Sequence, residues 1–404
     1  MKDGHRTTID ELCILSSGHG FTPRDWAKKG LPIIRIQNLN GSKDFNYFGG
    51  SPEPDWIVDP GDLLFAWAGV PGVSFGPTIW KGRRGLLNQH IFRVTPRPGV
   101  NKDWLYVALK VITARIERKA HGFKSSLLHV RKTEITNQRV LLPALEDQQK
   151  IARIMALWSK AIDLAEHVVA EKQDSRKWLM QQLLTGTRRL SGFGAAAKQA
   201  RLPNNWKEDR IDYLFKPVNR KNSKGLTKVL TASGEHGLVE QKEYFNHSVA
   251  GESLDSYLHI CRGEFAYNRS SMNGYPYGAI KRLDNHGEGV LSTLYICFEL
   301  ISDKCFSDYY KHLFERRYLD SQLRKIAQVG ARAHGLLNVT LHDFFSMKVP
   351  CPPIEEQRRI AGIIDIADRE LALLRAQLDA LREQKKGLMQ KLLTGEVRAG
   401  VSRR

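Results

Sequence analysis

A block of 44 residues is written twice in this chain, at 143–186 and 352–395, with a constant offset of 209 and no gap. PALEDQQKIARIM at the start of the first copy meets PPIEEQRRIAGII, and LMQQLLTG at its end meets LMQKLLTG. Fifteen of the 44 positions are identical, more than chance supplies. In the second copy Ile360, Ile364, Ala367, Leu371, Leu374, Leu378, Leu381, Lys385, Leu388 and Leu392 alternate steps of four and three, the spacing of a coiled-coil seam. The offset places Ile151, Met155, Trp158, Ile162, Ala165, Val169, Lys172, Arg176, Leu179 and Leu183 on the same seam of the first copy. Proline precedes and glycine follows each helix. Glu146/Asp147 and Glu355/Glu356 fall in the first turn, where the helix dipole favours acids. The reading is two helices of about 36 residues, each about 54 Å long, whose like seams can bury against each other. Arg176 and Lys385 share one seam position, where a basic residue costs stability but fixes register. Ordinary bundle packing is the alternative.

The segments before each helix have a different texture. PIIRIQNLNGS (32–42), GDLLFAWAG (61–69), LNQHIFRVTP (87–96) and GVLSTLYICFEL (289–300) are β-type runs broken by Gly, Pro and Asn. They repeat weakly: Gly61-Asp62 leading to Phe65 resembles Gly263-Glu264 leading to Tyr267, and LLHV (127–130) meets LLNV (336–339) at the helix offset. The chain therefore reads as globule, long helix, globule, long helix, an α+β architecture with an internal repeat. The expected boundaries are 1–142 and 205–351 for the globules, 143–189 and 352–404 for the helices with the C-terminal tail, and 190–204 for a Gly/Ala-rich linker.

At 404 residues, two or more cores are expected. Lys and Arg number 62 against 43 Asp and Glu, a net charge of +19, which attracts a polyanion; nucleic acid is the first candidate. The basic residues run through both halves instead of gathering on one amphipathic helix, which argues against a membrane surface. No apolar run reaches the roughly 18 residues of a membrane span and MKDGHRTTIDELC has no signal-peptide core, so a cytoplasmic protein is expected. Cys13, Cys261, Cys297, Cys305 and Cys351 are scattered, with no C-x-x-C pair, and suggest buried thiols, not a disulfide framework or a zinc site.

Catalytic signatures are missing. There is no [DN]-P-P-[YF] run, no Gly-Lys dipeptide for a P-loop and no G-x-S-x-G; SSGHGF (16–21) is too short a glycine signal. The 13 histidines show neither H-x-x-x-H nor H-E-x-x-H spacing, so no metal site is expected. A metal-dependent nuclease assembled from Asp55 or Asp62 with Glu117 and Lys119 is the weak enzymatic alternative, since Asp62 and Glu264 fit structural turns.

Pro-x-Leu/Ile-Glu-x-Gln-x-x-Ile entering a long helix that ends in Leu-Met-Gln-x-Leu-Leu-Thr-Gly, twice over, each after a β-rich globule, resembles the specificity subunit of Type I restriction-modification systems over essentially the whole chain. The resemblance implies two target recognition domains, each reading half of a split DNA site, joined by helices that pack as an antiparallel coiled coil with a pseudo-twofold repeat. It implies a non-catalytic subunit, without a cofactor of its own. Modification subunits, two by the repetition, would bind the helices, carry S-adenosylmethionine and methylate adenine at N6; restriction subunits, where present, would use ATP and Mg. A self-contained methyltransferase or nuclease with degenerate motifs, and a coiled-coil adaptor without sequence specificity, remain open alternatives.

The densest basic loops supply the DNA-contact candidates. In the first globule these are Lys81, Arg83 and Arg84 of WKGRRG and Arg118, Lys119, Lys124 and Ser125 of ERKAHGFKSS. In the second they are Arg220, Lys221 and Lys224 of NRKNSKG, Asn268, Arg269 and Ser270 of YNRSS, and Arg324, Lys325, Arg332 and His334 of RKIAQVGARAHG. Each has the alternative of a solvated surface charge. Trp67 and Tyr275 are loop aromatics divided between DNA contact and core, and Gln89 and His90 read as part of a buried strand.

Overall fold

The computed structural model describes residues 5–120, 127–196, 201–234, 236–245, 253–272, 274–329 and 335–399. The chain divides into two compact units, Met1–Glu166 with Ala376–Arg404, and His167–Arg375. The two long helices, Leu145–Leu184 and Ile354–Thr394, each contribute one half to each unit. They are 40 and 41 residues long, somewhat longer than the sequence pattern predicts. Among the described residues no helix is long and apolar enough to cross a membrane.

In the first unit His5–Thr8 pairs antiparallel with Arg139–Leu142, bringing the two ends of the globule together. Cys13–Ser17, Ile91–Pro96, Leu63–Ala66 and Gly76–Ile79 form a four-stranded antiparallel sheet in that order. A second sheet orders Trp26–Ala27, Asn46–Phe48, Leu31–Ile34, Gly85–Leu87 and Ile57–Val58, with one parallel pairing between Leu31–Ile34 and Gly85–Leu87. Helix Lys102–Ala120 starts where Asn101 Oδ1 accepts the Trp104 N–H at 3.0 Å, and it buries Trp104, Leu105, Ala108 and Leu109 completely. Phe65, Phe92 and Trp104 share one core with Ile151, Ala152 and Met155 of the first long helix and Leu392 and Leu393 of the second. Fully burying a side chain of this size is worth about 1.5–3 kcal/mol.

The second unit repeats the plan with different chemistry. Lys207–Arg210 pairs antiparallel with Lys348–Cys351. Phe215–Pro217, Tyr295–Leu300, Phe265–Asn268 and Ala279–Arg282 form a four-stranded sheet, and helix Ser307–Glu315 packs beside it. Its core is aromatic: Phe215, Phe265, Phe298, Tyr310 and Phe314 meet edge-to-face or stacked, with Phe265 and Phe298 stacked at 5.4 Å, and Phe344 lies tilted against Phe298. Met180, Leu183 and Leu184 of the first long helix and Ile360, Ala361 and Ile364 of the second complete it.

Three sequence expectations are corrected. GVLSTLYICFEL is two strands in different sheets, Glu288–Leu291 and Tyr295–Leu300, separated by a turn in which the Tyr295 N–H bonds Ser292 O at 3.0 Å. LNQHIFRVTP breaks similarly between Gly85–Leu87 and Ile91–Pro96. PIIRIQNLNGS is a strand only to Ile34; Ile36–Leu39 is a helical turn, fixed by Asn38 accepting the Arg35 N–H at 2.9 Å. Apolar residues flank each break, so hydropathy alone shows no gap.

Candidate nucleic-acid interface

Each globule is fastened to the helix that follows it by one buried glutamine. Gln148 Nε2 donates to Pro143 O at 2.9 Å and Gly99 O at 3.3 Å, while its Oε1 accepts the Asn101 N–H at 2.8 Å. Gln357, 209 residues later, donates to Pro352 O at 2.8 Å and Lys304 O at 2.9 Å and accepts the Phe306 N–H at 2.8 Å. Both are almost completely buried, so each amide closes a set of backbone groups that water cannot reach. The far ends match as well. Gly186 and Gly395 stand at φ 68° and 79°, and Arg188 N and Val397 N reach back to Gln182 O and Lys391 O at 3.0 and 3.2 Å.

On the seam, Ile151, Met155, Ile162, Leu183, Ile360, Ile364, Leu371, Leu378 and Leu392 are buried. Trp158, Ala165, Val169, Arg176, Leu179, Ala367, Leu374, Leu381, Lys385 and Leu388 are half-buried, and only Lys172 is exposed. In the second unit the Arg176 guanidinium grips Asp368 with two nitrogens and Lys172 meets Glu370 at 2.6 Å. Burial alone would lower the Arg176 guanidinium, but Asp368 outweighs it and holds it above its ordinary value. In the first unit Lys385 donates to Ser159 Oγ at 2.8 Å and Arg382 pairs with Glu166 at 2.8 Å. Burial pushes the Lys385 ammonium down, and nearby Lys110 adds to the shift.

The basic candidates separate into held and free. In the first globule Lys81 and Arg84 are exposed, Arg84 lying 3.5 Å from Asp59. Arg83 covers Phe45 and Tyr47 and donates to Tyr47 Oη at 3.1 Å. Arg118 and Lys119 are in the last turn of helix Lys102–Ala120, where the sequence suggested a loop; both are exposed. In the second globule Arg220 is bound to both oxygens of Glu264 at 2.5 and 2.6 Å. Lys221 donates to Ser256 O at 3.0 Å, and Lys224 to Glu288 Oε2 at 3.0 Å. Lys224 and His259 together hold the Glu288 carboxyl below its usual range.

Asn268 is buried, its amide facing Met272 Sδ and its oxygen accepting the Ser270 N–H at 3.0 Å. Arg269 is turned inward onto the carbonyls of Leu294, Thr293 and Val339. Arg324 and Lys325 are exposed at the end of helix Asp320–Ile326, again helix and not loop. Lys124, Ser125, Arg332 and His334 lie outside the described residues. Tyr275 is held internally by Gly234 O at 3.0 Å and Lys281 Nζ at 3.1 Å. The acids of the nuclease alternative are not gathered: Asp62 accepts the Asp59 N–H at 2.9 Å, Glu117 the Gly72 N–H at 2.7 Å, and Asp55 faces Arg93.

One feature of the first globule was not legible in sequence. His19 stacks on Trp56 at 3.9 Å, and Phe21 and Phe48 close the cluster at 5.7 and 6.1 Å from the Trp56 ring. All four rings are half-buried. The turn carrying Gln89 and His90 lies against it: Gln89 N donates to His19 O at 2.9 Å, and Trp67 Nε1 donates to Gln89 O at 3.0 Å. Gln89 is exposed, not part of a buried strand, and the buried Nδ1 of His90 has no hydrogen-bond partner among the described residues. Aromatic faces beside an exposed amide form a surface able to meet base edges. The signal missed was the Asn88 turn that ends strand Gly85–Leu87.

The family described as Type I restriction modification DNA specificity domain matches residues 2–171 and 274–383. Among curated relatives, the Type I restriction enzyme MjaVIII specificity subunit of Methanocaldococcus jannaschii is 23% identical over 363 residues, covering 85% of this chain and 80% of the relative. The Type I restriction enzyme EcoBI specificity subunit of Escherichia coli is 28% identical over 225 residues, 55% of this chain and 43% of the relative. The crystal structure of the Type I restriction-modification S subunit from M. genitalium superposes with a TM-score of 0.52 at 13% identity, covering 97% of this chain and 96% of that one.

Proposed function

This chain belongs to the Type I restriction modification DNA specificity family, and from that premise we propose that its two globules each read one half of a bipartite DNA site while the helices set the gap between the halves. The chain is a specificity subunit: it supplies DNA recognition to a restriction-modification complex and not the chemistry, and it acts together with DNA and modification subunits. The observation that carries the two-reader proposal is the glutamine clamp, which seats each globule on the start of a repeated helix in the same way. The target recognition domains are then 1–142 and 205–351, and the halves of the two helices that meet within each unit belong to one antiparallel coiled coil with pseudo-twofold repetition.

Two modification subunits fit this plan. Leu157 and Leu164 are 67% and 64% exposed on the first helix, and Ile366 and Leu373, their counterparts at offset 209, are 59% and 66% exposed on the second. Each pair lies seven residues apart on one helix face and offers the same apolar contact to the same partner. S-adenosylmethionine then sits in the modification subunits and ATP and Mg in any restriction subunits, in a cytoplasmic assembly. Phosphate contact falls to the exposed Lys81, Arg84, Arg118, Lys119, Arg324 and Lys325, with Lys221 and Lys224 released from their weak surface partners. Base reading in the first globule falls to Gln89 and the His19–Trp56 cluster.

The test is to express the gene with its modification partner in a methylation-free host and map N6-methyladenine across the genome. A split motif with a fixed gap, lost without this chain, is expected; lengthening both helices by one heptad is expected to change the gap and leave both half-sites intact. Methylation at the same motif without this chain, or an unchanged gap in the lengthened variant, overturns the proposal.

A further inference from the structure

We propose that the second globule holds a transition-metal ion, of the zinc type, on His259, Cys261 and Glu288. Strand Leu258–Cys261 pairs antiparallel with Glu288–Leu291, and Cys261 stands directly opposite Glu288. His259 and Cys261 are two residues apart on one strand, so their side chains leave the same face of the ladder. The three donor atoms lie within 4.8 Å of one another. Nε2 of His259 is 2.9 Å from Glu288 Oε2 and 3.6 Å from Cys261 Sγ. Bonds of about 2.0 Å to nitrogen and about 2.3 Å to sulfur at a tetrahedral angle put those two donors about 3.5 Å apart, so His259 and Cys261 already stand at coordinating distance, and Glu288 has to swing from its contact with His259 onto the ion.

The surroundings agree with a built site. The His259 side chain is 8% exposed and fixed by the sheet, while Glu288 is 40% exposed and opens a path from solvent. Of the five cysteines only Cys261 is not buried; the other four are enclosed in the cores. A dication bound to one thiolate, one carboxylate and a neutral imidazole makes a neutral group, with the thiol proton released to water and a fourth position left for a water molecule. The ion competes with the Lys224 ammonium, which lies 3.0 Å from the same Glu288 oxygen and is otherwise exposed. Binding therefore frees Lys224. No cysteine spacing in the sequence announces this site, because the ladder joins residues that are distant along the chain. The three ligands themselves are not among the residues assigned to DNA contact.

The experiment is a cobalt titration of the untagged full chain, stripped with chelator and kept in a phosphine reductant. A thiolate-to-cobalt charge-transfer band in the near ultraviolet is expected, saturating at one ion per chain and bleached by zinc. Cys261→Ser, a small change at a half-exposed position, is expected to abolish that band and weaken binding by about tenfold or more. His259→Ala and Glu288→Gln also weaken binding. Lys224→Ala, which removes the competing ammonium and no ligand, is expected to tighten it severalfold. Absence of the thiolate band, or a band and affinity unchanged in Cys261→Ser, overturns the proposal.

Discussion

The two units share a backbone plan at the junction between globule and helices, yet fill it with opposite chemistry. Helices Lys102–Ala120 and Ser307–Glu315 begin 205 residues apart, and the long helices repeat at 209, so positions correspond directly. Val107 and Ala156 of the first unit become His312 and Asp365 in the second, hydrogen-bonded at 2.8 Å. Lys385 on Ser159 becomes Arg176 on Asp368, and Lys110 becomes Glu315. At the helix start the half-exposed Asp147 becomes the fully buried Glu356, whose carboxylate takes two guanidinium nitrogens of Arg189 at 2.6 and 2.9 Å and the Trp206 indole at 2.9 Å. Arg398, the counterpart of Arg189, is exposed, and among the described residues it forms no ion pair with Asp147. Both units keep the glutamine clamp, while the polar contacts beside it differ. The clamp is common to both units, and among the described residues the buried ionic junction is found in the second alone.

The largest test of that contrast is at Glu356. Its removal by Glu356→Ala leaves Arg189 with its side chain only 4% exposed and its principal partner gone, a defect worth about 3–5 kcal/mol. Asp147→Ala is expected to stay within about 0.5 kcal/mol. Urea denaturation, with hydrogen exchange read separately on peptides of each unit, measures both. Equal costs at the two positions would dissolve the distinction. The clamp should behave oppositely: Gln148→Leu and Gln357→Leu each strand backbone groups in a dry site, and each is expected to cost about 1–3 kcal/mol, to the same extent in both units. A large inequality would mean that one clamp is dispensable.

This division explains what could be read from the sequence. Periodicity and local capping are properties of neighbouring letters, so the two long helices and their glycine stops were legible. Ion pairs and turns that join distant letters were not. Arg220 looks like any surface arginine until the sheet brings Glu264 to it, and Arg269 until three carbonyls close over its head. Nothing local distinguishes these from Arg324 or Lys325, which remain exposed. Gln89 was assigned to a strand because the apolar run around it is interrupted only by the short stretch Asn88, Gln89 and His90, and the same insensitivity merged Glu288–Leu291 with Tyr295–Leu300.

A smaller effect is expected from transplanting the ionic pair. Ser159→Asp places a carboxylate opposite Lys385, copying the second unit into the first; Asp368→Ser does the reverse. The partners in the second unit are 22% and 35% exposed, so the Coulomb gain is diluted by water, and each change should shift stability by about 1 kcal/mol or less, upward for the first and downward for the second. Raising the salt concentration should shrink both. If Ser159→Asp destabilises the first unit, the neutral contact there is itself a requirement.

The smallest effect is a pH dependence confined to the second unit. Burial pushes the His312 imidazole below its ordinary value, even though Asp365 and Asp368 pull it up; Lys311 reinforces the lowering. The neutral ring then donates its Nε2–H to Asp365. Because the folded pKa is depressed, the unfolded chain takes up a proton near the ordinary histidine value while the folded one does not. The contribution of His312 is therefore complete above about pH 6.5 and declines as pH falls below it. A single group limits the slope to less than one proton per chain. His312→Val, the residue that the first unit carries at Val107, should remove this component of the acid-side slope for the second unit and leave the first untouched. Stability of each unit followed by hydrogen exchange between pH 5 and pH 8, the interval in which an ordinary imidazole titrates, decides it. An unaltered slope in the variant would show that the polar junction is not what makes the second unit sensitive to acid.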